Sequence, residues 1–262
     1  MTLFDSHAHY DDRRFDEEFD GGGRGALLKA HSLGVEYIAN IGSSIRTSEN
    51  SVALAEEFPF VVAAVGIHPS DAQEIPTGET DRALARIEEL ARHEKVRAIG
   101  EIGYDYHWEP VDKERQTYFF DAQMEIAKRA GLPVIIHSRD AMGDTFDLLA
   151  RHSEVTGTLH SYSGHAEGAR QLAAKGWYIS FSGPVTYKNA NKVKESAAAV
   201  PSDRILIETD CPYLPPVPHR GETNYSGYLH YTCEAVAEIR GITPDEAARL
   251  TYENAKRFYG IE

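Results

Sequence analysis

A chain of 262 residues with 42% hydrophobic side chains can bury a sizeable core, as one large domain or two small ones. Its formal net charge of −14 opposes any sequence-independent grip on a polyanion, which needs Lys and Arg against phosphates. No apolar run approaches the ~18 residues of a membrane span, the N-terminus does not read as a signal peptide, and two cysteines, Cys211 and Cys233, cannot make a disulfide framework, so a reducing cytoplasm is the expected setting.

Eight short segments rich in Val, Ile, Leu and Phe read as strands. In chain order they are Leu3–His9, Tyr37–Ile41, Phe60–Ile67, Val96–Ile102, Pro133–His137, Gly157–His160, Tyr178–Phe181 and Arg204–Glu208. Several are apolar on both faces, as parallel strands covered by helices are. Segments of helical spacing lie between them, at Asp81–His93, Asp112–Ala130, Ala141–His152, Ala166–Lys175 and Asn189–Ala199. On Asp112–Ala130 the spacing predicts a buried side of Tyr118, Phe119, Ala122, Met124, Ile126 and Ala127, and a stop at Gly131-Leu132-Pro133. Two helices close the chain, at about Gly227–Arg240 and Thr243–Tyr259. The second opens on Thr243-Pro244-Asp245-Glu246, a cap with Pro at the first helical position. Eight strand–helix units make a (β/α)8 TIM-type barrel the expected fold, as one domain over residues 1–262, with a doubly wound open sheet as the alternative.

Active sites of such barrels form at the C-terminal ends of the strands. Here those ends collect His7 and His9, His68, Glu101, His137, His160, and Glu208 with Asp210. In a strand, residues i and i+2 project to one side, so His7 and His9 point together. Taken singly, a strand-end His is ordinarily a hydrogen-bonded structural residue, and Glu101 between glycines could cap the next helix. Taken jointly, four or five imidazoles and two or three carboxylates would carry a large desolvation cost unless a divalent metal offset it. Mixed nitrogen and oxygen donors suit zinc, manganese or magnesium, and a carboxylate such as Glu101 can bridge two ions.

The motifs Asp5-Ser6-His7-Ala8-His9, Gly66-Ile67-His68-Pro69, Gly100-Glu101-Ile102-Gly103-Tyr104-Asp105-Tyr106, Ile136-His137-Ser138-Arg139, His160-Ser161-Tyr162-Ser163-Gly164 and Glu208-Thr209-Asp210-Cys211-Pro212 span nearly the whole chain. In that order the chain resembles the TatD family of metal-dependent hydrolases. The resemblance implies a deoxyribonuclease-type phosphodiesterase with two divalent ions. It implies that His7, His9, Glu101 and Asp210 hold one ion, and that Glu101, His137 and His160 hold the other. It sets His68 near the phosphate and Glu208 behind the ligands. The chain departs from the family after the last strand, where Arg220-Gly221-Glu222-Thr223 replaces the usual Arg-Asn-Glu-Pro, a loop that shapes the substrate entrance.

Phosphodiester hydrolysis on this pattern gives Asp210 the role of accepting the proton of the attacking water, and Glu208 that of hydrogen-bonding a ligand imidazole. Arg139 and Lys188 are candidate phosphate contacts; Tyr104 and Tyr106 are candidates for stacking on a base. DNA ends or single strands are the expected substrate, 3′–5′ exonuclease action being one mode this allows. No membrane or obligate protein partner is expected, and the chain should act as a monomer. The competing reading is hydrolysis of a small amide, ester or lactone on the same metal site. A purely metal-binding or partner-docking barrel is disfavoured by so complete a ligand set.

Overall fold

A computed structural model describes residues 1–262. In chain order the elements are β1 (Leu3–Ala8), α1 (Arg14–Glu18), α2 (Gly22–Ser32), β2 (Val35–Ile41), α3 (Ile45–Glu57), β3 (Val61–Val65), α4 (Pro69–Glu74), α5 (Thr80–Leu90), β4 (Val96–Asp105), α6 (Lys113–Ala130), β5 (Val134–Arg139), α7 (Met142–Arg151), β6 (Gly157–Leu159), α8 (Ala166–Ala174), β7 (Tyr178–Phe181), α9 (Asn191–Ala199), β8 (Ile205–Ile207), α10 (Leu229–Arg240) and α11 (Pro244–Tyr259). The strands form one sheet in sequence order, β1 to β8. The fold is the expected (β/α)8 TIM barrel. Two compact units make up the chain: Met1–Asn40 with His160–Glu262, and Ile41–Leu159.

In the first unit all six residues of β1 are buried. Phe4 stacks on Tyr259 of α11, ring centroids 5.4 Å apart, and the Tyr259 hydroxyl donates to the Ser6 carbonyl at 2.7 Å. The predicted cap of α11 is present as a reciprocal Thr243–Glu246 box, worth about 1 kcal/mol.

In the second unit the wholly buried run Val61–Val65 of β3 pairs in parallel with β4. Asp112 caps α6 by accepting the Arg115 N–H at 2.9 Å, and Gly131 closes it in the left-handed region at φ 65°. The buried stripe of α6 differs from the expected one. Tyr118 is 51% exposed, while Gln116, Phe120 and Gln123 join Phe119, Met124, Ile126 and Ala127 on the inner face. Residues 116, 119, 120, 123 and 127 follow the i, i+3, i+4, i+7 rule. The two glutamines are inside because their amides bond backbone at strand ends. Gln123 accepts from Ile67 N–H at 2.7 Å and donates to Ile67 O at 3.1 Å. Gln116 does the same with Asp105, at 3.0 and 2.9 Å.

Four helices of the first third, α1 to α4, were not expected. α2 opens on Gly22-Gly23-Arg24-Gly25, poor helix formers. α3 is capped by a box in which Thr47 takes the place of the usual Glu or Gln. α4 is a short turn on Pro69. Elsewhere, β4 continues past the expected Ile102 to Asp105. At Gly143 in the first turn of α7, an added Cβ meets nothing within 4 Å. Gly143→Ala is therefore expected to stabilise the chain by about 0.5 kcal/mol, read as a raised urea midpoint with unchanged slope; a lowered midpoint would contradict this.

Candidate metal centre

The first unit brings four predicted ligands together through its backbone. Asp210 N–H donates to His7 O at 2.9 Å, and His9 N–H donates to Cys211 O at 2.8 Å. Asp5, fully buried, fixes this pairing. Its carboxylate accepts from Thr209 N–H at 2.9 Å, Thr209 Oγ1 at 2.5 Å and Ser226 Oγ at 2.6 Å. Burial outweighs those donors and raises the Asp5 carboxyl to about 6. The result is a tight group of side chains. His7 Nε2 and His9 Nε2 are 3.1 Å apart. Asp210 Oδ1 lies 3.7 Å from the first and 3.5 Å from the second. The His7 and His160 rings stack at 4.1 Å, and ligand atoms of His7, His160 and Asp210 lie within 4.8 Å of one another.

The chemistry of this donor set fits a divalent cation. Two Nε2 atoms 3.1 Å apart repel when both present lone pairs, and donors on one ion with ~2.1 Å bonds stand at about that spacing. Burial works to raise the Asp210 carboxyl, but the hydrogen bond from His9 and the adjacent His160, His7 and His9 imidazoles hold it below the usual carboxylate range. Asp210 itself sits in the left-handed region, φ 58°, where Asp and Asn are the side chains best tolerated. Glu208 is fully buried just behind. Its Oε1 accepts the Ser161 N–H at 2.7 Å and stands 3.3 Å from His160 Nδ1.

The second unit holds the remaining predicted ligands. Glu101 on β4 places Oε1 2.7 Å from His137 Nδ1 and 3.8 Å from His68 Nε2. The other His137 nitrogen, Nε2, meets Asp105 Oδ2 at 3.0 Å. A proton on Nε2 satisfies Asp105, which leaves the facing Nδ1 and Glu101 atoms to share a second proton or a cation. A carboxylate that fixes one ring nitrogen while the other faces an oxygen donor is the arrangement that supports metal-bound histidines. His68 accepts the Ser70 N–H on Nδ1 at 3.1 Å, so its neutral ring carries the proton on Nε2. Burial works to raise the Asp105 carboxyl; the hydrogen bonds from His137 and His107 and the His137 and His68 charges lower it overall.

Among the predicted substrate contacts, Tyr104 is 2% exposed. Its ring packs on Phe120 and Tyr106 and its hydroxyl donates to Thr117 at 2.9 Å. That packing leaves no face for a base, which corrects the stacking role expected of Tyr104. Tyr106 is half-buried, with its hydroxyl donating to Asp144 at 2.9 Å. Arg139 and Lys188 are exposed. The Arg139 guanidinium lies 5.4 Å from the ring of Trp108, itself 61% exposed. The divergent loop after β8 is held by its own cluster. His219 stacks on Tyr228 at 3.8 Å and the Tyr228 hydroxyl donates to Glu222 at 2.9 Å. Both cysteines are free and buried, and burial pushes the Cys233 thiol up to about 12.

Asp71, in the first turn of α4, is raised to about 6 by burial, then by Glu74 and Glu101. A carboxyl whose folded pKa lies above its unfolded value binds protons more readily in the folded chain. Stability therefore falls as pH rises from about 4 to about 6, then levels. Metal-free Asp71→Asn lacks that fall. It is expected to be more stable than the parent above pH 6, with the gap closing toward pH 4. Urea midpoints at pH 4.5 and 7.5 check this; a pH-independent gap would contradict it.

A profile of the TatD-related DNase family matches residues 4–260. The chain is 42% identical over 261 residues to YabD of Bacillus subtilis (strain 168), an uncharacterized metal-dependent hydrolase, covering 99% of each. It is 36% identical over 265 residues to YcfH of Escherichia coli (strain K12), likewise an uncharacterized metal-dependent hydrolase, covering 100% of this chain and 97% of the relative. The crystal structure of YJJV, a TatD homologue from Escherichia coli K12, matches with a TM-score of 0.91 and 29% identity, over 99% of this chain and 98% of that one. The histidine–carboxylate groups at the strand ends are candidate metal ligands, and the chain is a metal-dependent hydrolase that belongs to the TatD-related DNase family.

Proposed function

We propose that the chain hydrolyses phosphodiester bonds of DNA at ends or single strands, using two divalent ions drawn from zinc, manganese or magnesium. In this reading His7, His9, Glu101 and Asp210 hold one ion, and Glu101, His137 and His160 hold the other. The observation that carries it is the convergence of buried imidazole and carboxylate donors at strand ends in a chain of the TatD family. Bound cations supply Lewis-acid stabilisation of the phosphate charge and acidify the attacking water. Asp210, kept ionised by the imidazoles around it, accepts the proton of that water. His68 presents Nε2–H to a phosphate oxygen. Glu208 holds the His160 ring from behind. Arg139 contacts phosphate, and the exposed Trp108 ring beside it, rather than Tyr104, offers a face to a base. Tyr106 lines the approach. The net charge of −14 suits a short contact at a strand end better than a long duplex. No helix is long and apolar enough to cross a membrane; with two free thiols, a monomer in the cytoplasm is the setting this reading assumes.

Asp105 acts through His137 in this scheme. Asp105→Asn is expected to weaken metal binding about 10- to 100-fold with the fold retained, measured as a metal dissociation constant; unchanged affinity would remove Asp105 from the site.

The acidic charge and the divergent loop after β8 favour a second reading, in which the same residues cleave a small amide, ester or lactone. A substrate panel separates the two. Metal-reconstituted chain given oligonucleotides, aryl esters and lactones should show its highest kcat/KM on an oligonucleotide. A clear preference for a lactone or ester would transfer the assignment to the second reading.

A further inference from the structure

A second group of metal-ligating side chains lies where α6 passes the end of α7, away from the strand ends. His152 directly follows α7 and is 5% exposed. Its Nε2 stands 2.9 Å from Asp121 Oδ1 on α6. In a neutral ring that nitrogen therefore carries the proton and donates it, and the lone pair sits on Nδ1. Nδ1 is buried and makes no hydrogen bond. It faces Glu125 Oε1 at 3.4 Å, and ligand atoms of His152, Glu125 and Glu154 lie within 4.8 Å of one another. In that neutral form two electron-rich atoms face each other at 3.4 Å.

We propose that His152 Nδ1, Glu125 and Glu154 bind one divalent transition-metal ion, separate from the hydrolytic centre. A tetrahedral ion with bonds of ~2.1 Å holds its donor atoms ~3.4 Å apart, which is the spacing of Nδ1 and Glu125 Oε1. Asp121 and Glu125 sit one helical turn apart on α6, so they reach opposite edges of the same imidazole. Asp121 then plays the part that an outer carboxylate plays behind a metal-bound histidine, fixing the tautomer that aims Nδ1 at the ion. One imidazole with two carboxylates selects zinc or a similar transition ion over magnesium or calcium, which take oxygen donors alone. Lys128 now pairs with Glu154 from outside; a divalent ion on the same carboxylate displaces a monovalent ammonium.

The test uses the full chain, stripped of metal and dialysed against Zn2+ at pH 7.5. The parent is expected to retain one more Zn2+ per chain than either Glu125→Gln or His152→Asn, whatever number the strand-end residues hold. The Glu125 side chain is 43% exposed, so its amide variant keeps the fold and the comparison remains valid if His152→Asn is unstable. In 15N spectra of the parent, His152 should keep its Nε2 proton while its Nδ1 resonance shifts on adding Zn2+. Equal Zn2+ content in parent and Glu125→Gln would overturn the proposal. So would a His152 ring protonated on both nitrogens with and without Zn2+, the state in which an imidazolium simply bridges Asp121 and Glu125.

Discussion

Asp210→Asn is expected to lower turnover roughly 10²- to 10⁴-fold, the range for losing a positioned proton acceptor, while leaving the fold intact. The substitution is nearly isosteric. Asn tolerates the left-handed φ of 58° as well as Asp does. The backbone ties at this position, Asp210 N–H to His7 O at 2.9 Å and Tyr213 N–H to Asp210 O at 2.9 Å, are not touched by the change. What is lost is the charge: an amide 3.5 Å from His9 Nε2 and 3.7 Å from His7 Nε2 neither balances a cation nor takes up a proton. Turnover at saturating metal, with a circular-dichroism melt as the fold control, checks this. Unchanged turnover would remove Asp210 from the chemistry.

Gly103→Ala is expected to destabilise the chain by about 3 kcal/mol or more, from overpacking and a disallowed backbone angle together. Gly103 has φ 142° and pairs with His137 across β4 and β5. A Cβ there would lie 2.0 Å from the His137 carbonyl oxygen, and backbone in a strand ladder yields little. Any accommodation moves His137 relative to Glu101 and Asp105, whose contacts at 2.7 and 3.0 Å flank this glycine in sequence. The folded fraction should therefore also bind metal less tightly. Urea unfolding of Gly103→Ala beside Gly143→Ala separates close approach from helix propensity; parent-like stability of Gly103→Ala would contradict the account.

The candidate metal ligands were legible because each follows an apolar run that reads as a buried strand. His7 and His9 show how far such a reading goes. The i, i+2 rule puts both imidazoles on one side, and their Nε2 atoms do converge, although β1 ends at Ala8 and His9 is held by the Cys211 carbonyl instead of a strand partner. Apart from Glu208, the supporting residues were not legible. Asp105 escaped because β4 runs on past Ile102, so its carboxylate lies within the strand at the site. Gln116 and Gln123 escaped because amides on a helix read as solvent-facing; only the bare backbone ends at Ile67 and Asp105 explain their burial. Tyr104 misled for a related reason. Tyr106 lies just past the end of β4 and keeps an accessible edge, while Tyr104, still within the strand, packs against Phe120 of α6.

The most direct test is cleavage of 3′-labelled single-stranded DNA by the metal-stripped chain, with magnesium, manganese or zinc added back and Asp210→Asn alongside. The account predicts cleavage that requires added metal and disappears in the variant. No cleavage with any of the three metals, from chain shown to have rebound two equivalents, would contradict it.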